Sequence, residues 1–71
     1  MEYINVQVAK MPGAMKTLVL EQGSTVADAL RVAEIEVTAG YEVRVDNDKA
    51  EMDTVLNNNA VVIVTKMIKG N

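Results

Sequence analysis

The chain has no cysteine, no histidine, no phenylalanine and no tryptophan, and a single proline among its 71 residues. Without cysteine there is neither a disulfide framework nor a thiolate metal site. Without histidine the usual general base and the commonest metal ligand are both missing. A self-sufficient catalyst is therefore not expected, and neither is a bound metal or cofactor. With Phe and Trp absent, the core must be built from Val, Ile, Leu and Ala, and Met15, Met52 and Met67 are expected as gap fillers. Positive charge is scarce: seven Lys and Arg are scattered against ten Asp and Glu, for a net charge of −3. That balance lacks the clustered basic residues of a nucleic-acid footprint. No apolar run approaches the roughly 20 residues of a membrane span, and the start has no basic-then-apolar pattern of a signal peptide. One small soluble, cytoplasmic domain over residues 1–71 is the expectation. Its single core must offset about 1.5 kcal/mol of conformational entropy per residue.

What the chain does have is periodicity. The longest β-branched run, Ala60 to Ile68, reads as a central strand entered through the Asn57-Asn58-Asn59 turn. From Tyr3 to Lys10 the residues alternate, with Ile4, Val6 and Val8 on one face and Tyr3, Asn5, Gln7 and Ala9 on the other. Pro12-Gly13 suits the middle of a type II turn. Extended character resumes from Met15 to Glu21, with Leu18 and Leu20 inward and Thr17 and Val19 outward. Thr25 is the expected N-cap of a helix, and Asp28 three residues on makes a weak capping box. Val26, Ala29, Leu30, Ala33 and Val37 form one helical stripe. The helix is expected to end between Glu34 and Glu36, with Gly40 as the exit. Tyr41 to Val45 is a third strand with Tyr41, Val43 and Val45 on one face; Asp46 to Lys49 is a polar turn. Ala50 to Met52 is a short return, and Val55 and Leu56 point inward.

One helix can cover one sheet face only if it lies across it, and a right-handed crossover places the last strand beside the first, in parallel. In this arrangement Gly23-Ser24-Thr25-Val26 resembles the Gly-x-Thr-Val helix entry of the β-grasp, ubiquitin-like superfamily. Asp53-Thr54-Val55-Leu56 and the turn Asn58-Asn59-Ala60 are similar to its "D-T-x-L" stretch and its turn into the last strand. Within the superfamily the chain resembles the small sulfur carriers of the thiamine and molybdopterin type. The resemblance covers nearly the whole chain and implies an α+β fold, a four-stranded mixed sheet with one helix across it in the order ββαββ. It also implies an adenylating partner enzyme that activates a C-terminal Gly-Gly. Here Gly70 matches one glycine, Lys69 stands in place of the other, and Asn71 carries the carboxylate, so carrier or modifier chemistry would require removal of Asn71.

Other candidate sites give way to simpler readings. Asp46, Asp48, Glu51 and Asp53 begin like a calcium loop, but Glu51 and Asn57 occupy the positions where such a loop needs Gly and Glu. Ser24 sits at a helix entrance with no base to activate it. The register of the last strand is more informative. With Val62 and Val64 inward, Val61, Ile63, Thr65 and Met67 face away from the helix. An interaction surface centred on Val61 and Ile63, with Tyr3 and Met67 at its margins and Asn5, Gln7, Glu42 and Arg44 as polar rim, follows from that placement. Two functions remain: a non-catalytic module that binds a protein partner or itself through this face, or a carrier or modifier acting through Lys69, Gly70 and Asn71.

Overall fold

In the computed structural model, which describes residues 2–67, each alternating segment becomes a strand. The strands are β1 (Tyr3–Lys10), β2 (Lys16–Glu21), β3 (Tyr41–Val45), β4 (Asp48–Lys49) and β5 (Ala60–Lys66), with one helix, α1 (Val26–Ala33), between β2 and β3. They form one sheet in the order β2-β1-β5-β3-β4. β1 pairs antiparallel with β2 and parallel with β5, the latter in the register Val6↔Ala60, Val8↔Val62 and Lys10↔Val64. The expected four strands and ββαββ order are thus corrected to five and ββαβββ. The additional strand, β4, is two residues long and pairs with Arg44 and Val45 of β3. Its hairpin turn, Asp46-Asn47, has both residues at positive φ, 52° and 74°. This is the type I′ pattern that matches strand twist, reached here without glycine.

The core lies between the sheet and α1. Val6, Val8, Val26, Ala29, Val62 and Val64 are fully buried, with Leu30, Ala33 and Leu56 nearly so. A helix of eight residues is marginal by itself, and its ends explain why it forms here. The N-terminal amides that lack intrahelical acceptors all find partners. Val26 N–H donates to Thr54 O and Ala27 N–H to Met52 O, both at 3.0 Å. Asp28 N–H reaches Thr25 Oγ1, while Asp28 Oδ2 accepts Thr25 N–H at 3.0 Å. The capping box is therefore complete. At the other end Glu34 adopts the left-handed conformation (φ 59°, ψ 42°) and Ile35 N–H donates to Leu30 O at 2.9 Å, a Schellman closure. Lys16 Nζ and Lys10 Nζ reach across to the carbonyls of Ala33 and Glu36 at 3.2 and 3.1 Å, opposite the negative end of the helix dipole.

The structure corrects further expectations. Helix geometry stops at Ala33, so Val37 joins the core margin from a loop and not from the helical stripe. Gly13 lacks the positive φ that a type II turn requires. Its role is steric, because a Cβ there would stand 2.5 Å from the Lys10 carbonyl oxygen. The return to the sheet occurs at β4 and not at Ala50 to Met52. Val55 forms a single bridge with Thr25 and is 59 % exposed, whereas its neighbour Leu56 is buried. Met15, Met52 and Met67 are surface residues, each more than two-fifths exposed; the small β-branched side chains close-pack without them. Ile68, at the end of the expected last strand, lies outside the described residues.

Three outcomes test this account. Leu30→Ala should cost about 2–5 kcal/mol in chemical denaturation, as expected for emptying a buried Leu site; a loss under half a kcal/mol would refute the packing. Glu34→Gly should raise stability by about 1 kcal/mol, because glycine takes the left-handed cap without the Cβ penalty. The third outcome concerns pH. The Thr25 backbone N–H, then its hydroxyl and the Arg31 guanidinium, hold the Asp28 carboxyl below the ordinary value of 3.8. A depressed carboxyl pKa adds stability above the unfolded value and loses it as pH falls through the folded value. Asp28→Asn should accordingly be less stable than wild type above about pH 4, and the gap should close in more acidic solution. A gap that persists through the acid range would assign the effect to something other than the charge.

Candidate functional site

Among the described residues no helix or further strand packs on the sheet face away from α1, although Ala9, expected to face outward there, is buried at 1 % exposure, and the ladder determines who stands beside whom on it. Across the sheet, one row reads Thr17, Gln7, Val61; the next reads Ala9, Ile63, Arg44; Thr65 lies beside Glu42. Val61, Ile63 and Thr65 are half-buried, while Val62 and Val64 between them are fully buried. The alternation of the final strand thus divides its apolar residues between the core and the open face, as the register argument requires.

Charge and polarity frame this centre. Arg44 Nε donates to Glu42 Oε2 at 3.0 Å, and its guanidinium also reaches the Asn47 carbonyl at 3.1 Å, so the cation lies fixed on the β3 side of Ile63. On the other side Asn5 and Gln7 of β1 form a polar stripe. Together with Thr17 and Asn59 they line a shallow depression of about 230 Å³. Beyond the stripe stands Val19 of β2, 66 % exposed and paired with Asn5 in the ladder. The strand pattern alone places Val19 outward without assigning it to the site. Its exposure depends on β2 being the sheet edge, which alternation within one strand does not reveal.

The four residues of the expected surface are not brought together equally. Val61 and Ile63 are adjacent on one strand face. Tyr3 is 60 % exposed and pairs with Glu21. The β1–β5 register puts it level with residue 57, roughly 33 Å along the strand direction from Met67 at about 3.3 Å per residue. Met67 follows the end of β5 and lines a different hollow, with Val37, Tyr41 and Ala50. Lys69, Gly70 and Asn71 lie outside the described residues.

The acidic candidates have structural partners or stand apart. Asp46 Oδ1 accepts Val61 N–H at 3.0 Å, which ties the type I′ turn to β5. Among the described residues no three Asp or Glu gather closely enough to hold a metal ion. Ser24 contributes backbone bonds, from its N–H to Glu21 O and from Leu56 N–H to its carbonyl. Among the described residues no helix is long and apolar enough to cross a membrane.

No family model matches the chain, and no curated protein sequence matches it. Solved structures do. One, described as "Molecular Mimicry of SUMO promotes DNA repair", superposes with a TM-score of 0.65 over 90 % of this chain and 91 % of its own, at 12 % identity. Another, the ubiquitin of Caldiarchaeum subterraneum, superposes with a TM-score of 0.64 over 99 % of this chain and 100 % of its own, at 6 % identity. At such low identity the likeness is one of architecture, and it agrees with the strand order and crossover described above: the chain has an α+β, β-grasp fold of the ubiquitin-like kind.

Proposed function

We propose that this chain is a non-catalytic protein-interaction module that binds a protein partner through the sheet face opposite α1. The observation that carries the reading is the partly exposed pair Val61 and Ile63 at the middle of a sheet face on which, among the described residues, no helix packs. Apolar groups left in water at the centre of a polar-rimmed face gain free energy when a partner covers them. The ubiquitin- and SUMO-like neighbours support a role in protein interaction or modification.

Size argues for a transient contact over an obligate one. Five strands at about 4.8 Å spacing and strand lengths near 20 Å give a face of roughly 500 Å². Stable interfaces bury about 800 Å² on each partner. A second copy pressed face to face would therefore fall at the weak end of the range, and a partner that also engages the rim would do better. The alternative, a sulfur carrier or modifier activated at its C-terminus by an adenylating enzyme after loss of Asn71, draws its support from the sequence resemblance.

Ile63→Asp tests the main reading. The substitution puts a carboxylate at the centre of the face while leaving Val62 and Val64 in place. Partner capture and self-association, followed by paired pull-down and sedimentation, should fall at least tenfold, with circular dichroism unchanged. Undiminished association by a folded variant would show that the face is not used, and outright unfolding would mean that Ile63 belongs to the core.

A further inference from the structure

The β2 margin of the sheet is bare. β2 is a terminal strand, and its ladder with β1 fixes which way its backbone groups point. Gln22 N–H donates to Glu2 O at 2.9 Å, in step with the pairs Leu20↔Ile4 and Leu18↔Val6, so the even-numbered residues bond inward to β1. The N–H and C=O groups of Thr17, Val19 and Glu21 point out of the sheet. Among the described residues their one partner is Ser24 N–H, which donates to the Glu21 carbonyl at 3.1 Å and leaves that oxygen a second lone pair.

Edge strands are commonly blunted by a charge, a proline or a bulge. Between Thr17 and Leu20 β2 has none of these, and its register with β1 is unbroken. Lys16, at the first position, is drawn toward the end of α1 by the bond from its Nζ to Ala33 O. At the centre stands Val19, 66 % exposed, the most exposed large apolar side chain among the described residues.

The order of residues along this edge suits its own copy. Two β2 strands related by a two-fold axis run antiparallel, and residues directly opposite share a side of the sheet, with the odd-numbered ones exchanging bonds at the join. With Val19 on the axis, Val19 meets Val19 and Thr17 meets Glu21 on the open face, while Leu18 meets Leu20 and Lys16 meets Gln22 on the α1 face. Apolar pairs then occupy the centre on both sides, polar pairs occupy the ends, and no charge is set against its like. Each Val19 exchanges bonds with its copy, and each Thr17 with the Glu21 opposite. Moving the axis to Leu18 would set Thr17 against Val19 and Lys16 against Leu20, polar against apolar. Because α1 packs over β1 and β2, the two helices would stand about two strand spacings apart, roughly 10 Å, the distance of packed helices.

We propose that the β2 edge joins a second copy of this chain in an antiparallel, two-fold pairing centred on Val19. Six strand residues span about 20 Å, and a margin about 10 Å deep gives roughly 200 Å² on each copy, against about 800 Å² for a stable interface. The dimer is accordingly weak and reversible. An axis perpendicular to the sheet keeps both open faces uncovered and on one side, so this pairing is independent of contacts through Ile63.

The chain has no cysteine, so a single introduced thiol reports the join. In the full-length chain, Val19→Cys should oxidise to a disulfide-linked dimer at least tenfold faster than Thr17→Cys or the exposed control Val55→Cys. Position 19 meets its own copy, whereas the two positions 17 would lie roughly 14 Å apart, beyond disulfide reach. In sedimentation the unmodified chain should pass from monomer toward dimer between about 10 μM and 1 mM, and exchange of the Val19 amide should slow at least fivefold over that range. Val19→Lys sets two ammonium groups on the axis and should keep the chain monomeric with circular dichroism unchanged. In that background Ile63→Asp reads self-association through the open face alone. The proposal is overturned by a chain that stays monomeric at 1 mM, by equal oxidation rates at positions 17, 19 and 55, or by a Val19→Lys variant that dimerises as wild type does.

Discussion

The parallel pairing of β1 with β5 is the constraint on which the rest of the molecule depends. Two strands that run the same way cannot be joined by a hairpin, so everything between Lys10 and Ala60 must serve as connection, cover or edge. β2 folds back on one side and β3 with β4 on the other, while α1 covers the inward valines of the central pair. The turn before β5 closes the arrangement: Asn58 Oδ1 accepts Asn5 N–H at 2.8 Å, and Asn59 N–H donates to Asn5 O at 2.7 Å. These bonds extend the ladder past the end of the paired register, and they use an asparagine with φ of 70° where glycine would be usual.

A sheet covered on one side and bare at one edge leaves two kinds of surface. The open face offers side chains: Val61 and Ile63 between a fixed ion pair and a carboxamide stripe. The β2 edge offers main chain as well, because no strand lies beyond it. At the other margin the segment after β4 leaves the sheet to supply Met52 O and Thr54 O to the first amides of α1. The hollow beside Met67 and the cap are two results of a single path of the backbone.

Much of this was legible in the sequence, for identifiable reasons. Alternation over eight residues in β1 and five in β3 specifies which side chains are inward, and Thr25 with Asp28 marks the helix start to the residue. Features set by backbone conformation at unusual residues were not legible. Glu34 ends the helix and Asp46-Asn47 make a type I′ turn, all in positive-φ positions where glycine would have been the signal. Gly13, conversely, suggested a conformation it does not adopt. The expected face was readable from period-2 logic in β5, but Met67 was assigned to it by extending that period beyond the strand. The hollow draws on residues from Val37 to Met67 and exists only once tertiary structure has formed.

The parallel central pair also governs how the domain responds to force. With β1 and β5 side by side in the same direction, the first residue of one and the last residue of the other lie at opposite ends of the sheet. A pull applied through the two ends of the chain would load the ladder between them lengthwise, so that its hydrogen bonds share the strain in shear instead of opening one after another. The valines packed beneath those bonds would have to slide past α1 at the same moment. Slow forced unfolding, set by the height of the unfolding barrier and not by equilibrium stability, is thus a mechanical property of this strand order.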